Sequence, residues 1–284
     1  MRYDAHIHML LDGEDWRAAI ARHKAAPDED YIRVVLARYR ALGYTHLRDG
    51  GDRWGVCTCA ARLAGEYGIV YKTPAFPIHK AGCYGSFIGR GYEDLSEYGT
   101  LVERAAREGA DFIKIMLSGI MDFDRFGVIT GEPYAPDEIR ELIRIAHAAG
   151  FRVMAHANGA RTVQAAAEAG VDSVEHGAYL DEAALRAMAE HGTLWTPTIV
   201  TIGNLIGCGR YPDEVLKPLF RLHAENIRRA AMLGVPIAVG SDAGAYRVLH
   251  AQGAADERHY LEDILGEDSE ALRRGERFFD AWFT

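Results

Sequence analysis

The chain has no run of eighteen apolar residues and no basic segment followed by an apolar one near its start, so neither a membrane-spanning helix nor a secretory leader is expected. An excess of basic residues is also lacking. With 32 Lys and Arg against 41 Asp and Glu, the formal charge of −9 argues against a nucleic-acid partner, because phosphate binding needs grouped Lys and Arg. Cysteine is scarce: Cys57, Cys59, Cys83 and Cys208 are the four present. Cys57 and Cys59 fall in a helical pattern where positions two apart point nearly opposite ways, so they do not form a ligand pair, and all four are expected as reduced thiols. What remains is ordinary globular material, 49% hydrophobic and 26% charged over 284 residues, enough for a substantial core in one domain spanning 1–284.

Apolar runs bounded by Gly, Pro and polar clusters place strand starts near Tyr3, Tyr44, Ile69, Asp111, Arg152, Asp172, Leu194 and Pro236. Helical patterns lie between them: Tyr31 to Leu42, Trp54 to Tyr67, Leu101 to Glu108, Asp137 to Ala149, Ala160 to Ala169, Asp181 to Glu190, Asp213 to Leu233, and His259 to Trp282. Glycine stops most of them, as at Gly43, Gly150 and Gly234. Eight strand–helix alternations in a chain of this length predict an α/β fold, a (β/α)8 TIM barrel, rather than an open doubly wound sheet.

Chemistry-bearing residues collect at the carboxyl ends of these strands. His6 and His8 in Asp4-Ala-His-Ile-His8 are two apart, so both point to one face of the first strand and suit one metal ion. Lys114 in Phe-Ile-Lys-Ile, His156 in Ala-His-Ala-Asn, His176 in Glu-His-Gly and Asp242 in Gly-Ser-Asp-Ala-Gly close four later runs. In a TIM barrel those ends form the active-site face. Imidazoles with a carboxylate suit zinc and other borderline divalent ions, so His6, His8 and Asp242 are assigned to one ion and His156 with His176 to a second. A free Lys114 ammonium beside two cations would be repelled by several kcal/mol. Reaction of its amine with carbon dioxide would turn it into a carbamate, a carboxylate-like bridge between the ions.

These words, in this order, resemble the metal-dependent amidohydrolase superfamily, in its binuclear branch with a carboxylated lysine on strand 4, and are similar to the imidazolonepropionase-like and prolidase-like subgroups. The resemblance implies a metal-dependent hydrolase, in which a metal-bound hydroxide attacks an amide, lactam, peptide-like or ester carbonyl of a small molecule. It also implies that Asp242 takes the proton from the attacking water and delivers it to the leaving group. Many members carry a small β-sandwich flanking the barrel; here it is expected to be absent or vestigial, and another subunit of a homo-oligomer is expected to cover the helices it would shield. A mononuclear deaminase of the same superfamily, which would have no use for Lys114, and a non-catalytic metal-binding barrel are the alternatives.

Two long loops, 80–92 and 118–131, are glycine-rich and carry aromatic residues and single arginines, Arg90 and Arg125. Loops of this length in a compact domain are usually functional. Tyr84, Arg90, Tyr246 and Arg247 are the candidate substrate contacts, with a guanidinium to clamp a carboxylate. His46, Arg48 and Asp49 are expected to pack on strand 2 and to support the ligating imidazoles. His23, His147, His191 and His223 are expected to be solvated. A leader, once cleaved, would remove His6 and His8, so the expected compartment is the cytoplasm.

Overall fold

The computed structural model describes residues 2–283, and among them nine strands and eleven α-helices follow one another along the chain. The strands are β1 (Tyr3–Ile7), β2 (His46–Asp49), β3 (Val70–Lys72), β4 (Pro77–Lys80), β5 (Arg90–Tyr92), β6 (Ile113–Met116), β7 (Val153–Ala157), β8 (Ser173–His176) and β9 (Leu194–Thr196). All pair in parallel, in the orders β1-β2-β3 and β5-β4-β6-β7-β8-β9. Two seams close them into the barrel. At one, Asp111 N–H donates to the Thr73 carbonyl at 2.8 Å while its carboxylate accepts from Thr73 N–H at 2.9 Å. At the other, residues 236–239 bridge β9 to β1: Trp195 N–H donates to Pro236 O, Ala238 N–H to Trp195 O and Ala5 N–H to Val239 O, at 2.8–2.9 Å.

Four expectations change. The third strand is broken into β3 and β4, because Pro74 has no donor for a ladder and Ala75 takes a left-handed backbone (φ 61°). The eighth strand, expected from Pro236, is present only as the bridging segment just described. Gly240 ends it, and a Cβ there would lie 2.3 Å from Thr196 Cγ2, so only glycine allows this approach. The long pattern from His259 to Trp282 divides into α10 (Gln252–Leu265) and α11 (Glu270–Asp280), with Gly266 at φ 85° between them. The Leu101 pattern begins earlier, as α4 (Leu95–Arg107), where the Asp94 side chain caps the Glu97 amide. Helix α9 (Asp213–Leu233) keeps its expected bounds.

Strand alternation sorts the interior. On β6, Ile113 and Ile115 join the large apolar cluster with helix side chains such as Ile139, Leu142 and Val163, while Lys114 and Met116 point to the other face, towards the cavity at the strand ends. No helix among the described residues is long and apolar enough to cross a membrane. All four cysteines are free, and the Cys57 thiol donates to the Ala75 carbonyl.

Candidate metal centre

His6, His8 and Asp242 meet where β1 ends against the segment after Gly240. Asp242 Oδ1 lies 3.5 Å from His6 Nε2 and 3.4 Å from His8 Nε2, and one donor atom from each residue falls within 4.8 Å of the others. Donors about 2.0–2.2 Å from a tetrahedral ion are separated by about 3.4 Å, so this spacing fits a shared cation. Asp4 helps set it. Its carboxylate accepts from Ser241 N–H at 2.9 Å and Ser241 Oγ at 2.7 Å, tying β1 to the residue before Asp242.

Lys114, His156 and His176 complete the cluster. The His156 and His176 rings are 4.6 Å apart and the His176 ring is 5.2 Å from His6. Lys114 is 1% exposed and its Nζ has no hydrogen-bond partner among the described residues; His6 Nε2 is likewise buried and unpartnered. Unsatisfied buried donors and acceptors are rare and costly, and both of these residues line one cavity, where a bound ion would relieve them. Burial is the main force on every protonation state. It holds His8 and His156 down at about 3, with Lys114 adding repulsion, and keeps His6 and His176 well below the usual range. All four imidazoles are therefore neutral at neutral pH, the form that ligates. Burial also lowers Lys114 and raises Asp242, the latter opposed by the attraction of Lys114.

Supporting residues stand against one nitrogen of three of these rings. Glu175 Oε2 stands 2.9 Å from His6 Nδ1, and its other oxygen accepts from the buried Arg48 guanidinium at 2.9 Å. The Gly119 carbonyl lies 3.0 Å from His156 Nε2, and Thr198 Oγ1 lies 2.8 Å from His176 Nδ1. Partners of this kind orient ligating imidazoles. Arg48 therefore sits under the cluster as expected, and Asp49 accepts from the amide of Met9, just beyond His8. His46 does not: it contacts Thr45 and Phe283 away from these rings. Sequence reasoning passed over Glu175 and Thr198. Adjacent strand residues face opposite ways, so Glu175 and His176 look mutually exclusive. Both point inward because His176 takes φ 68°, and Thr198 (φ 48°) and Asp242 (φ 57°) are similarly left-handed.

The cluster opens into a cavity of about 410 Å³, walled by Trp16, Tyr84, Phe87, Phe123, Tyr211 and Tyr246 among others. Of the substrate-contact candidates, Tyr84 and Tyr246 line it; Arg90 and Arg247 do not. Arg90 stacks 4.8 Å from the Phe76 ring near Glu108, and Arg247 gives its backbone carbonyl to Asn204. Arg125 is exposed and pairs with Asp122. The arginine on the cavity wall is Arg210, overlooked in the sequence, held 4.3 Å over the Tyr246 ring with no ion pair among the described residues. Glu14 lies on the same wall. Two histidines expected in solvent are buried: His23 Nδ1 accepts from Asp28 N–H, and His223 Nε2 lies 2.9 Å from the Pro197 carbonyl. His147, beside Asp172, and His191 are exposed, as expected.

Known proteins share this architecture. Residues 59–266 match the profile of the amidohydrolase family. An uncharacterized protein of Mycobacterium bovis is 32% identical over 186 residues, 63% of this chain and 49% of its own length. Ochratoxinase of Aspergillus niger is 26% identical over 84% of this chain and 56% of its own. The chain thus spans about half the length of the curated relatives it matches. Among solved structures, a Xaa-Pro dipeptidase with bound methionine superposes with a TM-score of 0.78 at 22% identity, covering 98% of this chain and 75% of that one. The A. niger ochratoxinase structure gives 0.76 at 21%, covering 99% and 71%. At such identities the superpositions speak to the barrel alone, but the profile covers most of the chain, which belongs to the amidohydrolase family.

Proposed function

We propose that the chain is a metal-dependent hydrolase that cleaves an amide, lactam, peptide-like or ester bond of a small molecule at the mouth of the barrel. One observation carries the reading: His6, His8 and Asp242 converge beside the buried, unpartnered Lys114 and a second imidazole pair, all opening into one largely apolar cavity. His156 and His176 would hold a second ion, with Lys114 between the two as a carbamate formed from carbon dioxide. Zinc suits this donor set. Divalent ions there would lower the pKa of water and polarise the scissile carbonyl.

The chain's own residues do the rest. Asp242 accepts a proton at its carboxylate and passes it to the departing nitrogen or oxygen, and the Ser241–Asp4 hydrogen bonds hold the segment that carries it. The Glu175 carboxylate, 2.9 Å from His6 Nδ1, favours the tautomer with its proton on that nitrogen and would leave Nε2 bare. The aromatic walls exclude bulk water and enclose the acyl or leaving group. Relatives named as ochratoxinase and Xaa-Pro dipeptidase support an amide or peptide-like bond. A mononuclear deaminase would leave Lys114 buried without a role, which favours the two-ion reading. The test is metal removal by chelation, elemental analysis, and rescue with divalent ion plus bicarbonate, followed by a screen of N-acyl amino acids, dipeptides, hydantoins and lactones. Turnover should vanish and return. In Lys114→Ala the ion content should fall and bicarbonate should have no effect. Full turnover after verified metal removal would defeat the reading.

A further inference from the structure

Glu257 is completely buried on α10, outside the barrel wall, and among the described residues it has no hydrogen bond or ion pair with the residues assigned to the ions. Its Oε2 accepts from Val200 N–H at 2.8 Å, and the amides of Ile199 and Thr198 also lie against the carboxyl. Three successive amides thus converge on one buried acid just after β9. The residue they lock is unusual. Thr198 is β-branched yet takes a left-handed backbone (φ 48°), a conformation such residues rarely adopt unless the surroundings impose it. The grip extends around it: the Thr201 hydroxyl donates to the Thr198 carbonyl at 2.8 Å, and His223 stands 2.9 Å from the carbonyl of Pro197. Thr198 Oγ1 is directed at His176 Nδ1, 2.8 Å away, while the Trp195 indole holds the His176 carbonyl at 3.0 Å.

We propose that Glu257 is a positioning residue that fixes the strained Thr198 turn, so that the Thr198 hydroxyl holds the proton on His176 Nδ1 and presents bare Nε2 to the second ion. The ion part of this inference rests on the reading of His176 as a ligand given above. A carboxyl on an outer helix thereby sets the tautomer of a ring inside the barrel through one hydroxyl. Were Glu257 only a cap for the short helix α8 (Val200–Gly203), its loss would lower stability and leave the ring unchanged.

The experiment compares Thr198→Val, Thr198→Ser, Glu257→Leu, Glu257→Asp and Glu257→Gln in the full chain, well below each thermal midpoint. Two quantities are read: the His176 tautomer in metal-free protein, from side-chain 15N shifts, and the affinity for zinc by competition with a chromophoric chelator. Thr198→Val and Glu257→Leu should each mix the His176 tautomers and weaken the second zinc about 10- to 100-fold, the usual effect of removing a residue that orients a metal-ligating histidine. Zinc held by His6, His8 and Asp242 should be unaffected. Combining Thr198→Val with Glu257→Leu in one chain should be no worse than the weaker-binding single variant. Thr198→Ser and Glu257→Gln, which keep the hydroxyl and an acceptor, should behave as wild type, and Glu257→Asp covers the case in which the leucine variant does not fold. An unchanged tautomer and zinc affinity in Glu257→Leu or Glu257→Asp, with only the thermal midpoint lowered, would overturn the proposal, as would an indifferent Thr198→Val. A wild-type chain that holds no zinc would instead defeat the ligand reading, and the tautomer measurement would still decide the link from Glu257 to His176.

Discussion

Gly50 is the wall behind His8, and replacing it by alanine perturbs the site by a known distance. The residue follows β2, is buried, and donates its amide to Ile7 O at 2.8 Å. Its φ is outside the left-handed region, so alanine brings no backbone strain. A Cβ there would lie 2.4 Å from His8 Cε1, 2.9 Å from Nε2 and 3.0 Å from Nδ1. Ordinary contact begins at 3.4 Å, so the ring must retreat by 3.4 − 2.4 = 1.0 Å. It would carry Nε2 away from the 3.4 Å approach to Asp242 Oδ1. A misplacement of about 1 Å costs about 100-fold in rate. Gly50→Ala should therefore lower kcat/KM about 100-fold and weaken the ion shared by His6, His8 and Asp242. The overpacking penalty should be about 1–3 kcal/mol, lowering the thermal midpoint by several degrees. Gly99→Ala in α4 is the control. Nothing lies within 4 Å of a Cβ at that position, and helix propensity should add about 0.5–1 kcal/mol without touching turnover. Wild-type rate and ion affinity in Gly50→Ala, at a lowered midpoint, would show that the His8 ring position is irrelevant to the chemistry and refute the argument.

Asp242→Asn keeps the shape but removes the base; ions should stay largely bound in elemental analysis while kcat falls about 100- to 10,000-fold, and near wild-type turnover would place the proton transfer elsewhere. Burial raises the Glu257 carboxyl from 4.5 to about 8, so its contribution to stability is fully present below about pH 4.5 and is lost as pH rises through about 8. Glu257→Gln should accordingly flatten the decline of the thermal midpoint across that window, and an unaltered pH slope by calorimetry would show that the carboxyl ionises without cost. Arg210→Gln should raise KM about 10-fold for substrates ending in a carboxylate while leaving their amide-capped counterparts unchanged, the loss expected for one charge-assisted hydrogen bond. Equal effects on both series would mean that Arg210 serves only to pack Tyr246.

Several elements show where sequence reading stops. The helix bounds at Asp213–Leu233 were legible because an apolar stripe ran unbroken to a terminal glycine. The break between α10 and α11 was not, since Gly266 sits inside a pattern whose period continues on either side. His23 and His223 read as solvated because helical periodicity says which face a residue occupies, not what covers that face. Arg90 and Arg210 illustrate the same limit. Both are single arginines in glycine-containing stretches, and only the packing of Phe76 and Tyr246 decides which guanidinium reaches the cavity.

The sequence by itself determined the alternation of strands and helices and the six residues at strand ends, because both are local: period-two and 3.6-residue patterns, glycine stops, and ligand types placed two apart or after an apolar run. The tertiary structure decided how those residues are held. Glu175 under His6, Thr198 against His176 and Glu257 behind Thr198 are separated by tens of residues and joined across the barrel. Their roles depend on left-handed backbone at His176, Thr198 and Asp242, a strain that local preference opposes and only the surrounding packing can impose.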